Sequence, residues 1–197
     1  TDSNGVKFGK TEGNALWLDK NKTSSYELYQ YLINLEDSMI IQYLKMLTFL
    51  SKEEIEELEV KNNENPHLRE AHKALAREII TDLHGEEEYQ KAVMMSEVLF
   101  TGEFKKLTKE EIEEVFKGYK KINVRSNQNI VDLLINMGIA SSKREAREFI
   151  TSNAISINGE KINDLEYVIN DNDFMYGEYI IVRRGKKNYY IGIIDRS

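Results

Sequence analysis

The chain has 197 residues, 41% hydrophobic and 31% charged, with 27 lysines and arginines against 34 aspartates and glutamates, a formal net charge of -7. That supplies one or two apolar cores, excludes wholesale disorder, and argues against a general nucleic-acid binder, which needs a basic surface. The absence of cysteine excludes disulfide frameworks and thiolate zinc sites.

The acid is unevenly placed. From Ile122 onward ten basic residues balance ten acidic ones, so the whole excess of negative charge belongs to the first part. No run approaches the roughly 20 apolar residues of a membrane span, and the chain does not open on a basic-then-apolar signal pattern. The composition reads as a cytoplasmic protein with no membrane partner.

The first element is "KFGKTEGNALWLD", Lys7 to Asp19. Gly9 lets the backbone approach a ligand without a Cβ in the way, and Lys7 and Lys10 bring two mobile ammonium groups to a polyanion. An ordinary surface turn would look similar, because the spacing is not that of a P-loop.

From Thr23 to about Tyr119 the residues spell helices. "SSYE" (Ser24, Glu27), "SKEE" (Ser51, Glu54) and "TKEE" (Thr108, Glu111) each set a hydroxyl three residues before a glutamate, the reciprocal capping box that satisfies free N–H groups at a helix start. The next helix is predicted to open with Asn65 as N-cap and Pro66, the only proline, at its first position, and to close at Gly85. Leu68, Ala71, Leu75, Ile79 and Leu83 give it one apolar stripe. Further helices run through "DSMIIQYLKMLTFL" and "GEEEYQKAVMMSEVLF". Tyr26, Tyr29, Tyr31 and Phe49 fit core spacing better than base-stacking platforms. About five helices with short loops make a bundle.

Residues 118–129 lose this periodicity and mark a domain boundary. Beyond it, Ile130 to Met137 reads as a short helix stopped by Gly138, and Ser142 with Glu145 as a capping box opening a second helix to about Ser152. "AISINGEKI" is a hairpin turning at Asn158-Gly159, and "EYIIVRRGKKNYYIGII" a second one turning near Gly185. The expected class is therefore α+β: a helical bundle followed by a small module of two short helices packed on β-hairpins.

The cations of that module cluster. Lys143, Arg144 and Arg147 share the first two turns of the second helix, whose N–H groups and positive end suit a phosphate, although a solvated helix face with Glu145 and Glu148 would look alike. Arg183, Arg184, Lys186 and Lys187 crowd a hairpin tip, where an anionic partner would relieve their mutual repulsion. His67, His72 and His84 lack metal-ligand spacing and read as packing or solvent-facing residues. "NDND", Asn170 to Asp173, reads as a turn, and no serine has a histidine and acid placed around it in sequence.

In order, "KFGKTEGNALWLD", "KTSSYELYQYLINLED", "LTFLSKEEIEELE", "HLREAHKALAREI", "HGEE", "SEVLFTGE" and "GIASSKREAREFI…INGEKI" with "RRGKKNYY" resemble the carboxyl-terminal half of bacterial tyrosyl-tRNA synthetases, over nearly the whole chain. The resemblance implies residues 1-22 as the end of a catalytic domain, residues 23-121 as a helical anticodon-arm-binding domain, and residues 122-197 as an αL-type RNA-binding domain. It gives Lys7, Gly9, Lys10 and Thr11 the class I signature loop, which closes over ATP and stabilises the departing pyrophosphate, with Lys7, Lys10 and Thr11 as its catalytic members. It also raises Lys143, Arg144, Arg147, Asn158, Arg183, Arg184, Lys186 and Lys187 as RNA-binding positions.

Two positions depart from the family pattern. Asn153 stands where glycine is usual, and Ser25 where proline is common; asparagine is the next best left-handed cap, so the first turn should survive. The implied partners are tRNA(Tyr) for this chain, and ATP with Mg and tyrosine for the whole enzyme. The implied enzyme is a homodimer through its catalytic domain, with this portion monomeric alone. No cofactor is expected on this portion, which should bind tRNA without activating tyrosine, because a nucleotide-binding sheet would have to precede Thr1. A stand-alone RNA-binding protein would have no use for "KFGKT", and a helical interaction scaffold would not explain the basic hairpin tip.

Overall fold

A computed structural model describes residues 16–196. The Lys7, Gly9, Lys10 and Thr11 element lies outside the described residues. The chain forms two compact units, one up to Ser96 and one from Glu97 on.

In the first unit the helices are α1 (Ser25–Ile33), α2 (Asp37–Leu47), α3 (Lys52–Glu64), α4 (Glu70–His84) and α5 (Glu86–Thr101), the last crossing into the second unit within its own length. The boxes at Ser24/Glu27 and Ser51/Glu54 form with both reciprocal bonds. α4 is the hub, with α1, α2 and α3 against it, because Ala71, Leu75, Ala76 and Ile80 are wholly withdrawn from water. Each Leu- or Ile-sized side chain buried this way is worth about 1.5–3 kcal/mol.

Three expectations are corrected here. The helix does not start at Pro66: residues Pro66–Leu68 form one 3-10 turn, Arg69 adopts a left-handed φ of 57°, and α4 begins at Glu70. Arg69 is held there by its guanidinium, which donates to Asp37 Oδ1 at 2.8 Å, while His72 takes a place in the core beside the Leu35 carbonyl at 3.0 Å. Leu68 therefore leaves the stripe and is exposed, and Leu83 lies at its margin. Finally, Tyr26 and Tyr29 are core residues, but Phe49 is 94% exposed and Tyr31 partly so. α2 stops at Thr48, whose hydroxyl caps the Leu44 carbonyl at 2.8 Å, and the extended backbone that follows carries Phe49 outside the helix stripe.

The second unit contains the end of α5, a 3-10 turn at Phe104–Lys106, α6 (Lys109–Val115) with its Thr108/Glu111 box intact, α7 (Ile130–Asn136), α8 (Lys143–Thr151) and a five-stranded sheet. Its strands are β1 (Lys121–Arg125), β2 (Ile155–Ile157), β3 (Glu160–Lys161), β4 (Tyr179–Arg184) and β5 (Asn188–Asp195), in the order β1-β5-β4-β2-β3. β1, formed where the sequence shows only a loss of helical periodicity, pairs parallel to β5, and the other pairings are antiparallel. Only Val124 of its five residues is buried, so its pattern is too weak to be read without the partner strand. Leu133, Leu134, Ile150, Ile155, Ile180 and Val182 belong to the core that holds α7, α8 and the sheet together.

The turns follow the sequence. Gly138 (φ 69°) ends α7, Asn153 (φ 56°) is the left-handed cap after α8, and Asn158 and Gly159 (φ 49° and 92°) make the two-residue hairpin between β2 and β3. Gly159 is also where two backbones nearly touch: a Cβ there would lie 1.9 Å from the Gly102 carbonyl oxygen.

Candidate nucleic-acid interface

The start of α8 is built by two serines and a glutamate. Ser142 Oγ accepts from the Glu145 amide at 3.2 Å, while the Glu145 carboxylate accepts from both the amide and the hydroxyl of Ser141 at 2.6 Å. The return bond thus goes to Ser141, one residue before the one expected. Those bonds hold the Glu145 carboxyl below the usual carboxylate range, so the acid between the cations stays ionised and committed to the loop.

Lys143, Arg144 and Arg147 are exposed. Lys143 Nζ pairs with Asp132 of α7 at 2.9 Å; Arg144 and Arg147 make no ion pair with another described residue. Spaced three apart, they lie on one helix face.

The four cations of the second hairpin are divided by the alternation of a strand, in which neighbours point to opposite faces. Arg184 turns to the α7–α8 side: it donates to the Ile139 carbonyl at 3.0 Å, stacks 5.0 Å from the Phe149 ring, and acts on Glu145. Arg183 turns the other way, to the last turn of α5, where it donates to the Phe100 carbonyl at 3.4 Å. Lys186 and Lys187 stand exposed at the tip. Asn158 is spent on structure, its amide donating to the Asp173 carbonyl at 2.6 Å and accepting from the Ile181 amide at 2.9 Å. Lys143, Arg144 and Arg147 therefore stand together on the first turns of α8, Arg184 lies against Glu145 and Phe149, Lys186 and Lys187 are exposed at the hairpin tip, and Arg183 and Asn158 serve other contacts.

The Asn158-Gly159 hairpin and its neighbours are docked onto the helical segment of the same unit. Tyr189 donates its phenol to the Leu99 carbonyl and Tyr176 to the Leu107 carbonyl, and Lys105 pairs with Glu160 at 2.8 Å. Tyr179, buried, donates to Glu113 at 2.5 Å, and burial together with that carboxylate raises its phenol well above the ordinary tyrosine range.

The first unit carries two features invisible in sequence. One is an apolar cleft of about 710 Å³ among residues such as Leu18, Tyr31, Leu47, Phe49, Leu75 and Leu83. The other is a cluster in which Ser25 Oγ lies 2.8 Å from His84 Nδ1 and 2.9 Å from Glu88 Oε2, with His84 Nε2 2.9 Å from the Leu18 carbonyl. This is not a nucleophilic triad: histidine and acid both bind the serine, the second ring nitrogen faces a carbonyl, and the serine is 4% exposed. Among the described residues no group of three His, Asp or Glu could hold a metal ion, and no helix is long and apolar enough to cross a membrane.

The chain thus carries a helical unit followed by a small sheet-and-helix module with exposed cations at the start of α8. Comparison with known proteins gives its family. Residues 1–101 match the family described as tRNA synthetases class I (W and Y), and residues 111–192 match the tyrosine--tRNA ligase SYY-like C-terminal domain. The chain belongs to the tyrosyl-tRNA synthetase family and corresponds to its C-terminal region.

Among its relatives are proteins named tyrosine--tRNA ligase from Streptococcus agalactiae, 48% identical over 193 residues, and Staphylococcus carnosus, 49% identical over 192 residues. In both cases the alignment covers 97% of this chain and 46% of the relative, so the chain spans just under half the length of the curated relatives it matches. Solved structures with similarity include a C-terminally truncated mitochondrial tyrosyl-tRNA synthetase from Aspergillus nidulans, 41% identical over 44% of this chain and 26% of that one, TM-score 0.43. Another is the solution structure of a tyrosyl-tRNA synthetase C-terminal domain, 36% identical over 49% of this chain and 98% of that one, TM-score 0.40.

Proposed function

We propose that this chain is the tRNA-binding portion of a tyrosine–tRNA ligase. The observation that carries the reading is the two family matches following one another along the chain, the second of them spanning the exposed basic edge of α8. Residues 23–121 serve the anticodon arm, and residues 122–197 grip RNA through Lys143, Arg144 and Arg147, with Arg184, Lys186 and Lys187 extending the edge. Phosphates contribute affinity through these cations and position the RNA, while sequence is read elsewhere. Arg183 and Asn158 support that edge from behind, as their bonds to Phe100, Asp173 and Ile181 indicate.

In the whole ligase, ATP with Mg and tyrosine form the adenylate, and Lys7, Gly9, Lys10 and Thr11 form the loop that meets the phosphates. Cations fixed where charge develops on the leaving oxygens act more strongly on the transition state than on bound ATP. The ligase acts in the cytoplasm as a homodimer joined through its catalytic domain, and this portion alone is a monomer.

The test is binding of tRNA(Tyr) across a salt series. Each phosphate contact contributes about one unit to the slope of log affinity against log salt, so Arg144→Ala and Arg147→Ala should each flatten it by about that amount. A slope unchanged in both variants removes this edge from the interface. Pyrophosphate exchange by the isolated chain should stay at background, and turnover above it would refute the division of labour.

A further inference from the structure

A single apolar side chain on a surface needs no explanation, but Phe100, 79% exposed on the last turn of α5, stands on a backbone that is held from several sides. Helix ends normally fray. Here the carbonyls of Leu99 and Phe100 are taken by side chains of the second hairpin, the Tyr189 phenol and the Arg183 guanidinium. Beneath them Phe104 and Phe116 are buried and pack against the Tyr189 ring, each with its centroid 6.0 Å away. Just beyond, Gly102 and Gly159 meet backbone to backbone. All of these residues belong to the second unit, which thus presents one aromatic face to water from a turn that cannot yield.

The charge around that ring is one-sided. Arg183 and Tyr189 are paired across β4 and β5, so both side chains lie on the sheet face that meets the end of α5. Arg183 makes no ion pair with another described residue and its Nε is buried without a partner, which leaves its positive charge uncompensated. Lys187 precedes Tyr189 by two residues, about 7 Å of extended chain, and both it and Lys186 are exposed. The carboxylates of Glu103 and Glu160 are occupied by Lys106 and Lys105, each at 2.8 Å. Glu97 is exposed a turn back along α5, so the side that attracts anions is the hairpin side.

We propose that Phe100 is a stacking platform for one unpaired nucleotide of the bound RNA, with Lys186 and Lys187 holding the phosphates beside it; this rests on the reading of the chain as a tRNA-binding portion. An aromatic face next to cations suits a nucleotide, because every base has a π-face and every phosphate a negative charge, whereas an apolar protein surface would leave the cations unused. Loops and ends are where a folded RNA offers unstacked bases. A ring whose backbone is already fixed loses little freedom when a base settles on it, so more of the contact appears as affinity. The platform faces away from the α7–α8 side to which Arg184 turns. It is therefore a second contact, selective for unpaired RNA, where the cations of α8 meet phosphate of any kind.

The test measures binding of tRNA(Tyr) by the whole chain across a salt series. Phe100→Ala should weaken binding by about five- to hundredfold, the range for loss of one base–aromatic stack, and leave the slope of log affinity against log salt unchanged. Phe100→Trp should bind as tightly as the parent, whereas Phe100→Leu, which keeps apolar bulk without a π-face, should weaken as alanine does. Lys186→Ala and Lys187→Ala should each flatten the slope by about one unit. Helix content should match the parent in all of them, since the ring and both ammonium groups are exposed. Parent-like affinity in both Phe100→Ala and Phe100→Leu overturns the platform, and the reading of the chain survives that result if Arg144→Ala and Arg147→Ala still flatten the slope. Weak binding by alanine with full binding by leucine shows a merely apolar contact and overturns the stack as well. If the parent does not bind tRNA(Tyr) at all, the reading of the chain fails and the platform with it.

Discussion

Replacing Gly159 by alanine separates two costs that a hairpin glycine usually hides. Gly185, at φ 67°, has open space where a Cβ would go, so Gly185→Ala meets only the left-handed penalty of about 1–2 kcal/mol. At Gly159 the same penalty applies, but the new carbon would sit 1.9 Å from the Gly102 oxygen and 2.8 Å from its carbonyl carbon. Both are backbone atoms that cannot rotate away, so the hairpin must retreat by about 1 Å, an overpacking cost of about 1–3 kcal/mol. Retreat also lengthens the bonds from Tyr189 to the Leu99 carbonyl and from Arg183 to the Phe100 carbonyl, at about 0.5–1.5 kcal/mol for the better-shielded one. Gly159→Ala should therefore lose about 2–4 kcal/mol more than Gly185→Ala. Amide exchange in β4 and β5 measures it, because the slowest amides there report opening of the module as a whole. Equal losses, to within about 0.5 kcal/mol, would show that the hairpin is not docked on the end of α5.

Two further outcomes follow from side chains at or near the interface. Asp132→Asn frees Lys143 from its exposed pair, worth about 0.2–1 kcal/mol, so tRNA affinity should rise by about two- to fivefold; a fall would mean that Lys143 does not meet phosphate. Tyr167 donates to Asp173 at 2.6 Å, and burial and that carboxylate push its phenol up to about 12. The folded state thus holds a proton that the unfolded state releases near pH 10, so this stabilisation is complete below pH 10 and lost as pH rises through 12. Alkaline denaturation curves of Tyr167→Phe should lack that descent, and a curve unchanged from the parent would refute the assignment.

What local chemistry could announce, the residues announced. Hydroxyl-to-glutamate spacing marked three helix starts, Asn158-Gly159 marked a turn, and Asn153 stood in for glycine, because capping and left-handed backbone are decided within four residues. The basic start of α8 was legible for the same reason, since a helix repeats every few residues and its cations fall on a countable face. Outcomes that depend on distant partners were not legible. Strand β1 exists because β5, whose paired residues lie 70 positions later, offers it a parallel edge, and Arg69 ends a predicted helix turn because Asp37 waits on another helix.

The same division runs through the candidate sites. Sequence placed Arg183 and Arg184 in one cluster, and pairing in the sheet sent them to opposite faces, one behind α8 and one against α5. Sequence showed Ser25, His84 and Glu88 as unrelated residues, and only the packing of α1 beside the junction of α4 and α5 brought them within 3 Å of a shared hydroxyl. Charge, caps and turns are properties of neighbours along the chain, whereas a face, a dock or a buried polar cluster needs surfaces that only burial of the cores brings together.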